Sequence, residues 1–577
     1  MVEAATSHHR IRFLVWFLGI VMALFVVRLF DLQIIKHSAY VEKAESEQVK
    51  SLVIHAKRGE IYALDNGTPV KMVLNENVYT VFADPVEVKD PDAVVKAVRE
   101  VAGGTAEKGI EKLVRDKPYR YRIIAKNLSR KQAEMLRDKR ISGVGLQEAT
   151  RRVYPEASLA AQTLGFVNAE DKGQYGVEEA LDDQLRGKDG MLRSVTDVRN
   201  VPLTIGNNST RIPKQDGKDI VLSIDRNVQA YTQKTLAKQM KKIGATNGSA
   251  LVMDPQTGKV LAMANLPTYN PEKFTSVRNA AAFNNAIITT PYEPGSVMKT
   301  FTVATGIDKG VITANSTYNN TDSIKVEDRT ITNLSRGQTG QITIQHALNW
   351  SLNTGMVTVA ERLGDGNNIT RGSRDIIYDY FHNRFGLGQA TGIELAGEVK
   401  GRVISPDVVE GNAVRYSNMT FGQGMDPTMI QVAAGFSSIV NGGKYYQPTV
   451  IAGEMRDDEY VQRPTPKPLR QTISPSASNK ARKMVHDARA AFYSKTDKKG
   501  YDIGGKTGTS QTLINNSYDN NQTIGTYLGY GGDDKPKYVI MVQVSAPGKG
   551  FAGTDAMLVF NDVSNWLIDY MKLQPKG

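Results

Sequence analysis

The sequence predicts an α+β protein in which one membrane-spanning helix near the N-terminus precedes two folded regions. Three observations lead to this prediction. An apolar run lies close to the N-terminus, strand-like and helix-like patterns then alternate as far as residue 215, and hairpin patterns with long helices follow from residue 216. We expect the second region to form an antiparallel sheet flanked by helices.

The apolar run extends over residues 13–30 and contains Arg28 as its only charged residue. Its length is close to the roughly 20 residues that cross a bilayer as a helix. Arg10 and Arg12 precede the run, so the positive-inside rule keeps the N-terminus in the cytoplasm and places the remaining chain outside. A cleavable signal peptide is the alternative, although no small-x-small cleavage site follows. The predicted segments are a cytoplasmic tail at 1–12 and a membrane anchor at 13–35.

The region after the anchor has the patterns of a folded domain without chemistry of its own. Alternating residues at Val78–Ala83 indicate a strand, and the charged stretch Arg130–Arg137 indicates a helix. A polar turn at 216–219 then leads into a strand-like run and a helix, which we predict at Ile220–Ile224 and Arg226–Lys241. We place the main boundary at this turn, between a non-catalytic domain at 36–215 and a second domain at 216–573.

The second domain combines hairpins with helices. Two apolar runs joined by Gln256-Thr257-Gly258 predict a first hairpin, and runs on both sides of the turn 531–534 predict another. The predicted elements are strands at Gly248–Pro255, Lys259–Ala264, Tyr527–Tyr530 and Tyr538–Val544, and helices at Thr343–Leu363, Thr428–Val440 and Asp555–Met571.

Composition excludes several classes of function. The chain of 577 residues has no cysteine, which rules out disulfides, thiol nucleophiles and cysteine-ligated metals, and its seven histidines show no metal-ligand spacing. The net charge of +12 is spread along the chain without a nucleic-acid-binding motif, so a solvated basic surface is the simpler interpretation. We predict that the densest basic stretch, from Lys480 to Lys499, is an exposed helix face and its following loop.

Three short motifs occur in order in the second domain. They are Ser296-Val297-Met298-Lys299, Ser351-Leu352-Asn353 and Lys506-Thr507-Gly508. Taken singly, they also fit a helix cap followed by a solvated lysine, a polar turn that caps a helix, and an edge strand with an incidental lysine. Each pattern alone recurs by chance, but the ordered set is much stronger evidence for a serine acyltransferase.

The context of the first motif favours a reactive serine. The turn Glu293-Pro294-Gly295 puts Ser296 at or near a helix N-terminus, where the helix dipole stabilises an anion beside it. The i, i+3 spacing places Lys299 on the same helical face. A lysine whose pKa is lowered by burial or by a second cation can serve as the base that serine needs, and Lys506 is a candidate for that cation.

These residues resemble the transpeptidase domain of the class B penicillin-binding proteins. The lead-in Tyr292–Ser296 matches the segment before the family's nucleophile, and Gly422–Gly424 is similar to another family pattern. The likeness covers about residues 219–571 and continues upstream, where Arg58–Ile61 resembles the family's pedestal domain, although 63–67 lacks the usual arginine. The resemblance implies an elongated α+β pedestal followed by a penicillin-binding transpeptidase fold. No glycosyltransferase signature of a bifunctional class A enzyme is present.

The resemblance implies a role for each motif residue. Ser296 is the nucleophile that attacks the D-Ala-D-Ala carbonyl, and Lys299 is its general base. Ser351 relays the proton to the leaving D-alanine. Asn353 orients the bound peptide through its side-chain amide, and Lys506 supplies positive charge that helps to hold the relay serine.

The resemblance also assigns the binding groups of the third motif. Thr507 and Thr509 bind the terminal carboxylate, and Gly508 lets a substrate backbone approach the strand closely. The backbone N–H groups of Ser296 and Thr509 form the oxyanion hole. A β-lactam mimics the donor peptide and traps Ser296 as an ester, and neither a metal nor an organic cofactor is required.

The chain resembles the FtsI-like division subclass more than the elongation subclass. The features that carry this resemblance are the short tail, the single anchor and Ala83-Asp84-Pro85. The resemblance implies peptidoglycan stem peptides as substrates, β-lactams as inhibitors, and an FtsW-type membrane polysaccharide polymerase with other division proteins as partners. The expected location is the bacterial cytoplasmic membrane, with the catalytic domain on its outer face. An elongation-type enzyme, a β-lactam-hydrolysing or β-lactam-sensing relative and a non-catalytic scaffold stay open as alternatives.

Overall fold

The computed structural model describes residues 3–40, 49–195, 210–334, 338–514, 517–547 and 552–576. They form two compact units, one of Met1–Arg58 with Arg186–Gly217 and one of Gly59–Leu185 with Lys218–Gly577. These units divide the chain at other positions than the predicted domain boundaries.

The first unit contains the apolar helix. This helix extends over Glu3–Phe30 and continues as a π-helical turn at Asp31–Ile35. Its segment Arg10–Ile35 has a mean hydropathy of 2.5 and is long and apolar enough to cross a membrane, which agrees with the predicted single-pass anchor. Residues 1 and 2 of the predicted tail lie outside the described residues. Three antiparallel strands, Val49–Ile54, Gly190–Val195 and Thr210–Ile212, complete the unit.

The second unit contains a seven-stranded sheet, which we call the upstream sheet. Its strand Asp219–Asp225 pairs in parallel with Ile61–Asp65 and antiparallel with Ile451–Arg456, so strands far apart in the chain share one sheet. The other strands are Thr68–Ala83, Arg122–Leu128, Val144–Val153 and Glu459–Gln462. The strand predicted at Val78–Ala83 and the helix predicted at Arg130–Arg137 are therefore confirmed, the latter as Arg130–Asp138.

Short helices pack beside the upstream sheet. The helix Pro91–Ala102 is capped by Asp90, whose carboxylate accepts from two backbone N–H groups, and it buries Val94 and Val98 against the strands. The remaining helices of this part are Ile110–Leu113, Arg130–Asp138, Ala161–Leu164, Gly176–Ala180 and Asp182–Arg186, and a short hairpin joins Phe166–Val167 to Gly173–Gln174.

A five-stranded antiparallel sheet separates two apolar cores of the second unit. Successive residues of one strand point to opposite faces, so Ala250 and Val252 belong to one core while Leu251 and Met253 belong to the other. The helices Arg226–Ile243 and Ala552–Tyr570 cover the first face. In spatial order the strands are Val260–Leu266, Asn247–Met253, Pro536–Pro547, Ser517–Gly532 and Asp502–Ile514, which confirms both predicted hairpins.

Helices and small hairpins fill the second core. The helices are Ala286–Thr289, Lys299–Asp308, Ile344–Asn349, Asn353–Arg362, Arg371–Tyr378, Ala413–Met419, Met429–Val440 and Pro475–Tyr493. The hairpins pair Thr317–Asn320 with Gly340–Thr343, Ser323–Val326 with Arg329–Thr332, and Lys444–Tyr445 with Arg470–Gln471.

Two sequence predictions need correction. The single helix expected at Thr343–Leu363 is two helices, because the chain between them turns at Ser351 with a φ of 57°. Arg489, expected on an exposed basic face, is 1% exposed. Its guanidinium donates to Asp497 at 2.8 Å and to Asn561 at 2.7 Å, and these partners stabilise the buried charge.

Candidate active site

The first motif lies where a tight turn becomes a helix. Gly295–Met298 form a 3-10 turn that continues directly into the helix Lys299–Asp308, as the sequence predicted. Gly295 has a φ of 64°, and its N–H donates to the carbonyl of Gly422 at 3.0 Å. The carboxylate of Glu293 accepts from the N–H of Gly424 at 2.7 Å. These contacts fix the backbone just before the half-buried Ser296.

Lys299 is fully buried and reaches the second motif. Its Nζ donates to the carbonyl oxygen of Ser351 at 2.5 Å and to Ser351 Oγ at 3.2 Å. Burial, together with the nearby Lys506 ammonium, holds the pKa of Lys299 well below its usual range. A neutral amine has two N–H donors and one lone pair. In that form Lys299 directs both donors at Ser351, and among the described residues no third group bonds to its lone pair.

The second motif is the turn between two helices. The helix Ile344–Asn349 ends before it, and the helix Asn353–Arg362 begins at its last residue. The left-handed conformation of Ser351 directs its carbonyl and its hydroxyl to the same lysine. Asn353 is 8% exposed, and its Nδ2 donates to the carbonyl of Thr332 at 2.9 Å. The turn therefore holds two of the predicted side chains in fixed orientations.

The third motif lies on the strand Asp502–Ile514, which ends the strand order of the five-stranded sheet. Lys506 is 5% exposed, and burial lowers the pKa of its ammonium to about 7. Its Nζ contacts the carbonyl of Thr507 at 3.2 Å and Thr507 Oγ1 at 3.3 Å. Thr507 and Thr509 are both half-buried.

The strand lies directly against the turn that carries Ser296. A Cβ atom added at Gly508 would lie 2.7 Å from the carbonyl oxygen of Pro294, and one added at Gly295 would lie 2.8 Å from that of Thr509. Neither position has room for a side chain. The protein's own turn therefore leaves no room for a side chain at Gly508, while the approach of a substrate backbone to this strand stays a prediction.

The structure brings all three motifs together. Lys299 bonds to Ser351 and lies close to Lys506, and the turn before Ser296 packs on the strand of Gly508. The sequence does not indicate that the carbonyl of Thr332 lies beside Asn353, because every residue type offers a main-chain acceptor. Nor does it indicate the position of Gly553, where an added Cβ would lie 2.5 Å from the carbonyl of Gly508.

Two family models match this chain. The penicillin-binding protein transpeptidase domain matches residues 248–565, which include all three motifs. The penicillin-binding protein dimerisation domain matches residues 53–222. The first match alone covers more than half of the chain.

Similar proteins are known from several bacteria. The chain is 29% identical to stage V sporulation protein D of Bacillus subtilis over 100% of this chain and 88% of that protein. It is 27% identical to the peptidoglycan D,D-transpeptidase FtsI of Escherichia coli K12, over 96% of this chain and 90% of FtsI.

Among solved structures, a peptidoglycan synthetase from Bifidobacterium adolescentis superposes with a TM-score of 0.72 at 23% identity, covering 92% of this chain and 98% of that one. This likeness confirms the predicted α+β fold. The transpeptidase-domain match over more than half of the chain assigns the family. The chain belongs to the class B penicillin-binding proteins, the peptidoglycan D,D-transpeptidases that carry a dimerisation domain before a transpeptidase domain.

Proposed function

We propose that this transpeptidase cross-links stem peptides through an acyl-enzyme on Ser296 during septal wall synthesis. The observation that carries the proposal is the buried Lys299, whose pKa is held low and whose N–H groups are taken up by Ser351. Its remaining lone pair makes Lys299 a base for the serine hydroxyl. Peptidoglycan peptides as substrates and β-lactams as ligands follow from the family itself.

The acylation step begins when Ser296 Oγ attacks the carbonyl of the penultimate D-alanine and its proton passes to Lys299 Nζ. The backbone N–H groups of Ser296 and Thr509 stabilise the oxyanion, at about 3 kcal/mol for each donor in such enzymes. The C–N bond then breaks, and a proton relayed through Ser351 leaves with the D-alanine amine. Asn353 orients the peptide during this step.

The terminal carboxylate of the donor is held by the third motif, through the charge of Lys506 and the hydroxyl groups of Thr507 and Thr509. In the second half of the reaction, the amine of another stem peptide attacks the Ser296 ester. Its proton passes to the Ser351 and Lys299 pair, a new amide forms and Ser296 is regenerated. A β-lactam follows the acylation step, but its ring-opened amine stays attached.

The proposed arrangement along the chain keeps a cytoplasmic tail at 1–12, an anchor at 13–35, a pedestal at 36–215 and a transpeptidase domain at 216–573. Arg10 and Arg12, which precede the apolar run 13–30, support an N-terminus in the cytoplasm and a catalytic domain on the outer face. An FtsW-type polymerase is the proposed partner in the membrane, with other division proteins.

Covalent labelling tests the acyl-enzyme. Purified protein is incubated with a fluorescent penicillin and the adduct is located by mass spectrometry. We expect a slowly released adduct on Ser296 that is absent in Ser296→Ala. Ser276→Ala, an exposed serine elsewhere in the chain, is the matched control and keeps the label. Rapid release would identify a β-lactamase, and folded protein without an adduct would favour a scaffold.

The septal role is tested by depletion in the bacterium that encodes the protein. Loss of septal cross-linking produces filaments with blocked division, whereas loss of an elongation enzyme produces wide or rounded cells. A sporulation role is the second candidate, favoured by the similarity to stage V sporulation protein D across the whole chain. Depletion that leaves growth normal and blocks only spore formation would identify that role.

A further inference from the structure

The helix that begins at Asn353 is capped from a distant part of the chain. The side chain of Leu352, the residue before it, provides no cap, although the first N–H groups of a helix need acceptors. The N–H of Thr354 donates instead to Asn333 Oδ1 at 3.1 Å, and Asn333 lies 21 positions earlier in the chain. The start of this helix, with the second motif, therefore depends on a residue outside all three motifs.

The amide of Asn333 is itself held by neighbouring polar groups. Its Nδ2 donates to Asp322 Oδ1 at 3.1 Å, and its backbone N–H donates to the carbonyl of Asp322 at 3.1 Å. Thr354 Oγ1 donates to Asn320 Oδ1 at 3.0 Å, and both residues are buried. We call Asn320, Asp322, Asn333 and Thr354 the Asn333 network. Asn320 and Thr354 are buried, whereas Asp322 and Asn333 are half-buried, and the hydrogen bonds among the four side chains favour one orientation of each.

The network is connected directly to Asn353. Thr332, the residue before Asn333, accepts the hydrogen bond from Asn353 Nδ2 at 2.9 Å. Two consecutive residues, Thr332 and Asn333, thus bind two consecutive residues at the start of the helix. One N–H of the Asn353 amide is used in this contact, and among the described residues no other group bonds to its second N–H or its Oδ1, so both are available to a ligand. A shift of Asn333 moves Thr332 and the helix start together.

We propose that Asn333 is a positioning residue for acylation, which acts on the bound peptide through Asn353. The inference rests on the proposed role of Asn353 in orienting the donor. The alternative is that Asn333 only stabilises the small hairpins that precede the second motif. The two readings differ in one respect: a positioning residue loses its effect when Asn353 is already absent, whereas a stabilising residue does not.

The test is a double-mutant cycle on the second-order rate constant for acylation of the full chain by a fluorescent penicillin. We expect Asn353→Ala to slow acylation about 100-fold and Asn333→Ala to slow it about 10-fold. The double variant should be no more than about twofold slower than Asn353→Ala alone. The labelled fraction at saturation should stay constant in all folded variants. Ser129→Ala, which removes the cap of the remote helix Arg130–Asp138, is the matched control and keeps the wild-type rate.

A second measurement remains valid even if Asn333→Ala lowers the folded fraction of the protein. The ratio of the rate constants for penicillin G and 6-aminopenicillanic acid, which lacks the acyl group that Asn353 would orient, does not depend on the folded fraction. We expect Asn333→Ala to lower this ratio, as Asn353→Ala does. An unchanged ratio, or equal slowing in the presence and absence of Asn353, would overturn the inference and leave the acyl-enzyme intact. A wild-type protein that is not labelled on Ser296 would overturn both.

Discussion

The two sides of the active site are built in different ways. On the helical side, Lys299 and Asn353 are buried side chains, and each donates to a main-chain carbonyl of another segment. On the strand side, the residues 506–509 lie on the last strand of a sheet, with a glycine pressed against the turn before Ser296. The difference shows that hydrogen bonds to main-chain acceptors orient the helical side, whereas close backbone packing positions the strand side.

The largest effect is expected at Lys299, the proposed base on the helical side. Lys299→Arg replaces the proposed neutral amine by a guanidinium, which does not lose its proton in a protein, so acylation of Ser296 should fall about 1,000-fold. The measurement is the rate constant for labelling by a fluorescent penicillin at pH 7. Lys309→Arg, at the exposed end of the same helix, is the control and should leave the rate unchanged. A rate within tenfold of wild type would exclude Lys299 as the base.

An intermediate effect is expected on the strand side, at Gly508. Gly508→Ala places a methyl group 2.7 Å from the carbonyl of Pro294, so either the strand or the turn must move. Displacement of the nucleophile by a fraction of an ångström should slow acylation about 100-fold. Gly104→Ala, where the added methyl meets no atom within 4 Å, is the control. Equal labelling rates would show that the contact does not position Ser296.

The smallest expected effect is a change in pH dependence. Because burial lowers the pKa of Lys506 to about 7, the free enzyme loses this charge as the pH rises through that value. The second-order rate constant for a carboxylate-bearing β-lactam should therefore fall above that pH, by about tenfold for each further unit. Lys506→Arg keeps its charge and should remove this alkaline decrease. The same decrease in both proteins would assign it to another group.

Much of the architecture could be predicted because its causes are local. The alternation of apolar residues gives the hairpins, and the turn before Ser296 marks the helix start. A polar turn that caps a helix is one interpretation of the second motif, but Trp350-Ser351-Leu352 contains neither glycine nor proline to indicate a left-handed residue. The left-handed conformation there brings the carbonyl of Ser351 to a lysine 52 positions earlier. The burial of Arg489 likewise depends on the folded chain, which brings its partners Asp497 and Asn561 together.

The site likewise divides into a predictable and an unpredictable part. The ordered motifs predict which side chains meet, because reactive groups must be particular residue types. They do not predict Thr332 or Asn333, which contribute a carbonyl and a cap that many sequences could supply. Their contacts with Asn353 and Thr354 depend on distances in the folded chain, which sequence patterns do not contain.

The upstream sheet sets an order of events during synthesis of the chain. Its strand Ile61–Asp65 can pair with Thr68–Ala83 as soon as both are made, but its parallel neighbour Asp219–Asp225 is complete only after Asp225 is made. The strand Asp219–Asp225 gains its antiparallel neighbour only after Ile451–Arg456 is made. At about 5–20 residues per second, the interval from the first of these strands to the last is on the order of 20–80 s. Until then the growing chain carries an unpaired strand edge, so factors that shield nascent chains have most to protect during this interval.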